Sequence, residues 1–277
     1  MDYEELNCTI KPFRKELAEI LTAQLSDLGF ESFVDHDEGF NAYIPSADFD
    51  VSVLGKLIWP VSDETEVSFD HKLIKQKNWN AVWESNFQPV VISGKCMVRA
   101  PFHEKDPSIL YDLIIEPKMS FGTAHHETTE LMIQMLFEEN ISGRKLLDMG
   151  CGTGVLAILA HKLGAGPVTA IDNDEWAYEN SLSNIIKNNS SNIIVQHGDA
   201  SSLQNEKYDV ILANINRNIL LNDIPAYIKV LNKGGSLIMS GFYEKDLPAI
   251  KDKAEGLLLK LDHLLVMNEW VVARFLY

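Results

Sequence analysis

The stretch KLLDMGCGTG, residues 145–154, reads as a buried strand that runs into a glycine turn and opens a helix. Leu146 and Leu147 supply the strand's apolar run, Asp148 ends it, and VLAILAHKL at 155–163 supplies the apolar face of the following helix. Gly150, Gly152 and Gly154 permit a sharp turn and leave no side chain between a ligand and the amides at the helix start. A dinucleotide fingerprint places its third glycine five residues after the first. Here that position is Val155, which disfavours NAD, although the glycines alone leave it open. No GKS or GKT follows, so a P-loop is absent.

Beyond Pro167, VTAID at 168–172 predicts a second parallel strand. It ends in Asp172, whose carboxylate is placed to accept bonds from ribose hydroxyls. Charge-assisted bonds of this kind contribute about 1.5–3 kcal/mol each. Further strands are expected at 193–197, 208–213 and, after the Gly234-Gly235 turn, 236–240. Strands alternating with helices form a parallel sheet covered on both faces, and ligands of such sheets sit outside the carboxyl ends of the strands. Gly150, Asp172, Asp199 and Asn214 follow four successive strands. Taken singly, each is an ordinary turn or cap residue; their agreement in position is what points to a site.

LLDMGCGTGVLAILA, the acidic end of AID, GDA at 198–200 and AN at 213–214 together resemble class I S-adenosylmethionine-dependent methyltransferases. FGTAHHETTE at 121–130 narrows the resemblance to the methyltransferases of the large-subunit ribosomal protein L11, which carry a Phe-Gly-Thr-x-His-x-Thr-Thr segment before the glycine loop. The likeness covers the whole chain. It implies an α/β fold: a Rossmann-like class I methyltransferase domain with a mostly parallel seven-stranded sheet, preceded by a small ferredoxin-like α+β domain that grips the protein substrate. It also implies that Thr129, Gly150, Gly152, Asp172 and Asn214 bind S-adenosylmethionine, and, by a looser carry-over, that Asp199 takes the adenine amino group. Without that context Thr129, close to a helix start, would be read as a cap or a back-bonding residue. The family has glycine where this chain has Ala124, and a positive φ at that position would strain alanine.

The 277 residues are enough for one large domain and one small one, with ordinary hydrophobic (46%) and charged (23%) fractions for a globular chain. A formal charge of −16 opposes a bulk grip on nucleic acid and favours encounter with a basic protein, such as a ribosomal one. Cys8, Cys96 and Cys151 lie far apart without CxxC spacing, which suggests neither a disulfide framework nor zinc. An acidic amino terminus without an apolar core, and no run of membrane-span length, lead to a cytoplasmic expectation. His125 and His126 stand beside Glu127, but HExxH needs a histidine where Glu130 stands, so no metal is expected.

Residues 1–71 predict a strand at 3–10, then a helix opened by Pro12 with Phe13, Leu17, Ile20, Leu21 and Leu28 on one face and Gly29 as its stop. A hairpin at 31–44, a short helix at 47–57 capped by Ser46, and a strand at 65–70 complete the ferredoxin-like order. Residues 72–87, with Trp79 and Trp83 four apart, read as a linker helix, which leaves 88–277 for the methyltransferase domain. Strands at 90–92, 97–100 and 111–116 and a helix at 128–138 lead into the glycine loop. Strands near 257–263 and 270–277 form a closing antiparallel hairpin.

Methyl transfer from a sulfonium to nitrogen needs a neutral, aligned amine more than a strong acid or base. Asn214, within ANIN, is expected to orient that amine while touching the cofactor. The Asn/Asp-Pro-Pro-Tyr of enzymes acting on amide or exocyclic nitrogens is absent there, which favours amine substrates. The expected activity is N-methylation of lysine ε-amines and the α-amine of ribosomal protein L11. The alternatives are an RNA or small-metabolite methyltransferase, and a non-catalytic binding module retaining the fold. Asp172→Ala is expected to lose cofactor affinity with little loss of folding stability.

Overall fold

The computed structural model describes residues 2–58, 65–75, 87–118, 120–204 and 206–277. By internal contacts the chain divides into two units, Met1–Asn86 and Phe87–Tyr277.

In the first unit, β1 (Tyr3–Lys11) alternates strictly, with Leu6, Cys8 and Ile10 buried between polar neighbours, the period of a half-covered strand. It pairs antiparallel with β3 (Gly39–Pro45) and β4 (Glu66–Ile74), while β2 (Ser32–His36) pairs with β3, so the order is β2-β3-β1-β4. Helix α1 (Lys15–Asp27) covers this sheet with Leu17, Leu21 and Leu25, a stripe of spacing four. Gly29 at φ +97° stops the helix as expected. Phe13 and Ile20 are not on the buried stripe: Phe13 precedes the N-cap Arg14, and both side chains are 40% or more exposed.

The second expected helix is a 3₁₀ turn, Val51–Lys56, capped by Asp50, whose carboxylate accepts from the Ser52 amide, and not by Ser46. Two valines, a serine and Gly55 in six residues give weak helix propensity, and no residue of the turn is buried. Strand β4 continues through Leu73 and Ile74, which pair with Glu4 and Tyr3. Residues 72–74, expected to begin a linker helix, are therefore strand. Trp79 and Trp83 lie outside the described residues.

In the second unit a three-stranded sheet, β5 (Val90–Ile92), β6 (Cys96–Arg99) and β7 (Tyr111–Ile114), precedes α2 (Glu127–Glu138). The main sheet is built from β8 (Leu146–Met149), β9 (Val168–Asp172), β10 (Ile193–His197), β11 (Tyr208–Asn214), β12 (Leu231–Tyr243), β13 (Lys260–Met267) and β14 (Trp270–Leu276), in the order β10-β9-β8-β11-β12-β14-β13. Strands β8 to β12 pair in parallel, and β14 runs antiparallel to both β12 and β13. Every residue of β8 and β9 is buried, because one apolar core lies on each face of the sheet. Strand β12 starts at Leu231 and passes through Gly234-Gly235 as an irregularity, where a turn before a separate strand was expected.

Strand order runs outward in opposite directions from β8 and β11. The helices that follow them therefore pack on opposite faces of the sheet, and a crevice opens between the two connections.

Candidate functional site

The glycine turn leaves β8 and enters α3 (Val155–Lys162), and at Gly150 and Gly152 the glycine is required by space as well as by φ. A Cβ on Gly150 would stand 2.3 Å from Ile215 Cγ2, and one on Gly152 2.3 Å from the Phe121 carbonyl oxygen. The Gly150 and Cys151 amides donate to the Ile171 carbonyl, and the Gly152 amide donates to Asp172 Oδ2 at 2.8 Å. Asp172 Oδ1 accepts from the Asp174 amide at 3.0 Å. The carboxylate is thus held in one orientation, with each oxygen retaining a lone pair. Its removal would strip partners from two backbone amides, so Asp172→Ala carries a folding cost that its position at a strand end does not reveal. The Cys151 thiol is buried and its pKa is driven well above the ordinary value, first by burial and then by Asp148 and Asp172, which makes it a filler of the turn.

Asp148, in β8 beneath the turn, is fully buried. Its Oδ2 accepts from the Ala157 amide at 3.1 Å and its Oδ1 has no partner. Burial, with a smaller contribution from the charge on Asp172, pushes its pKa up to about 7.

Loop 120–126 lies against the glycine turn. The Thr153 amide donates to the Phe121 carbonyl at 2.9 Å, and Thr153 Oγ1 donates to the Gly122 carbonyl at 2.7 Å. Ala124 stands at φ +66°, the left-handed conformation that makes its departure from glycine consequential. His126 caps α2 and accepts the Thr128 amide at Nδ1. That bond fixes the neutral ring as the Nε2–H tautomer. His125 reaches instead to the Thr123 and Gln88 carbonyls.

The crevice holds a cavity of about 460 Å³, within the usual size of small-molecule sites. It brings together Gly150, Gly152, Asp172 and Asn214. Asn214, at the end of β11, presents a buried Oδ1 without a hydrogen-bond partner, an acceptor left for a ligand. Thr129 does not line the cavity; it is buried one residue behind Thr128, which does, and its Oγ1 is also unpartnered. Asp199 lies outside the lining and is exposed. Its carboxylate caps its own 3₁₀ turn through the Ser201 amide and hydroxyl, and the Ser201 hydroxyl is the main cause holding its pKa below the ordinary value.

Phe121, His126, Asp174, Asn216 and Trp270 also line the cavity. Asn216 was within reach of a sequence argument, since it caps α5 (Arg217–Val230) through the Asn218 and Ile219 amides. Trp270 carries no local signal, because the closing strand alone delivers it. Two glycines on the cavity wall, an oriented carboxylate and an orphaned amide oxygen suit a ligand with hydroxyls and a nearby donor, as S-adenosylmethionine and an amine would be.

Residues 20–275 match the family model of ribosomal protein L11 methyltransferase (PrmA). Proteins named ribosomal protein L11 methyltransferase are similar over essentially the full chain: 44% identity for that of Phocaeicola vulgatus, covering 100% of this chain and 99% of the relative. The Porphyromonas gingivalis protein is 46% identical over 93% of this chain and 90% of its own. Among solved structures, the ribosomal protein L11 methylase of Lactobacillus delbrueckii subsp. bulgaricus superposes with a TM-score of 0.65 at 27% identity, covering 68% of this chain and 98% of that one.

Proposed function

The chain belongs to the ribosomal protein L11 methyltransferase family, and from that premise we propose that it transfers methyl groups from S-adenosylmethionine to lysine ε-amines and the α-amine of ribosomal protein L11. The observation that carries the reading is the convergence of Gly150, Gly152, Asp172 and Asn214 on one cavity at the carboxyl ends of β8, β9 and β11. S-adenosylmethionine supplies a methyl on a sulfonium, already activated for displacement. The residues that would hold it are the glycine turn and Asp172, with the Asp172 carboxylate accepting from hydroxyls through its free lone pairs.

The protein's remaining task is to present a neutral nitrogen. Freeing a lysine's proton at neutral pH costs about 4–5 kcal/mol, against about 1 for an α-amine. Asn214 Oδ1 accepts an N–H of the incoming amine and turns its lone pair toward the cavity. His126 is not the base, since its Nδ1 is occupied by the α2 cap and its Nε2 already carries the proton. Positioning and desolvation by the cavity walls therefore carry the rate. Thr129 stays in the proposal as a cofactor-binding residue and Asp199 as the partner of the adenine amino group, both beyond the lining of the cavity.

A net charge of −16 supports a basic protein target over nucleic acid. Among the described residues no helix is long and apolar enough to cross a membrane, and the three cysteines are buried as free thiols, which supports a cytoplasmic location. The test is mass spectrometry of purified ribosomal protein L11 incubated with this protein and S-adenosylmethionine, beside Asn214→Ala. Mass added in steps of one methyl, and more slowly with the variant, is expected; no added mass, with calorimetry still showing cofactor binding, would send the methyl to another acceptor.

A further inference from the structure

The chemistry above uses one amide oxygen for the amine and asks of the cavity's rings only that they exclude water. Phe121, His126 and Trp270 all line it. The Phe121 and His126 ring centroids are 5.2 Å apart at 62°, and those of His126 and Trp270 4.7 Å apart at 67°. Tyr243 lies against Trp270 at 4.0 Å. The rings form a continuous wall from loop 120–126 to β14. A ring cluster serving only to pack would be buried, but Phe121, on the cavity lining, is 53% exposed. That is apolar surface left for an occupant.

The occupant's chemistry follows from what the reaction does to its nitrogen. Each methyl added replaces an N–H with an apolar carbon, so Asn214 Oδ1 loses a donor at every round, whereas the attraction of a cation to a ring face needs no N–H. We propose that Phe121 and Trp270, steadied by His126 and Tyr243, form a binding wall for the alkylammonium product, so that an amine already methylated is held at least as well as an unmethylated one. This rests on the methyltransferase reading of the same cavity. The wall lets the site re-present a methylated amine once it has shed a proton to solvent, in place of rejecting it.

The experiment is calorimetry on the full chain, saturated with S-adenosylhomocysteine, using N-acetyl-lysinamide, its ε-trimethyl form and the neutral carbon isostere of that form. The trimethylated cation is expected to bind no more weakly than the unmodified lysine and about two- to fivefold more tightly than the isostere. Trp270→Leu and Phe121→Leu should erase the preference for cation over isostere, and Trp270→Phe should keep part of it. Phe121, being more than half exposed, gives a variant that folds even if the tryptophan variant does not. Equal binding of cation and isostere by the wild type would overturn the proposal. So would a Phe121→Leu variant that loses S-adenosylhomocysteine affinity while keeping the preference, since the ring would then belong to the cofactor. Cation preference without methylation of ribosomal protein L11 would fault the target reading and leave the wall standing.

Discussion

Loops 150–154 and 120–126 border one cavity and both need left-handed backbone, but they obtain it differently. The first has glycine at all three such positions, with φ between +55° and +77°. Its amides are tied to the Ile171 carbonyl and the Asp172 carboxylate at the end of β9. The second has Gly122 and then Ala124, and its backbone is tied to Thr153 of the first loop. The segment leading into it is held by two buried side chains, Asn184 of α4 (Glu175–Lys187), which accepts the Glu116 amide, and the helix's C-cap Asn188, which accepts the Ile114 amide. One loop inherits its geometry from the sheet, and the other inherits it from the first loop. Damage should pass from the glycine turn to loop 120–126 and not the reverse.

The largest test of that asymmetry is Gly152→Ala. Its methyl would meet the Phe121 carbonyl at 2.3 Å and force both loops apart. Left-handed strain and overpacking together predict a destabilisation of about 2–5 kcal/mol in denaturant titration, with cofactor affinity down more than tenfold; normal stability would show that the two loops are not coupled through Gly152.

Asp148→Asn probes the foundation of the first loop. The folded carboxyl titrates at about 7 and the unfolded one at 3.8, so the native state holds a proton that the unfolded state has lost between those values. Wild-type stability, taken relative to that of Asp148→Asn, should therefore fall as pH rises from about 4 to 7, by of order 4 kcal/mol. The amide cannot ionise and still accepts the Ala157 amide. The variant should therefore be more stable than the wild type above pH 7, and the gap should close toward about pH 4. A difference between the two proteins that does not change with pH would show Asp148 to be an ordinary carboxylate.

Thr153→Val cuts the side-chain tie between the loops while keeping shape and the amide bond to the Phe121 carbonyl, at about 1–2 kcal/mol for an unpaired Gly122 carbonyl. Hydrogen exchange should quicken at 120–126 and stay slow at 150–152, and Thr153→Ser should restore it. Smallest is Ala124→Gly. Relief of about 1–2 kcal/mol of strain is offset by a buried methyl worth about 0.8 and by glycine's entropy in the unfolded chain. The net change in melting experiments should lie within about 0.5 kcal/mol. A loss above about 2 kcal/mol would show that the methyl's packing sets the loop.

Much of this was legible in residues 145–172, because strand, turn and helix there are local: continuous apolar runs, glycines at left-handed positions and an acidic strand end. The same logic found β1 to β4 of the small unit and failed at 47–57, where weak propensity yields a 3₁₀ turn. It also ranked Phe13 and Ile20 as buried, although neither faces the sheet.

The sequence by itself determined the periodicities, the glycine turn, the carboxylate at the end of β9, Asp172, and the amide at the end of β11, Asn214, since each depends on neighbours within a few residues. Only the tertiary structure decided that Asp172 also holds two backbone amides, that Thr129 and Asp199 stand off the cavity, and that Trp270 meets His126 across it. Those facts turn on which strands lie side by side. Strand order is a property of the whole sheet's burial, and no local pattern carries it.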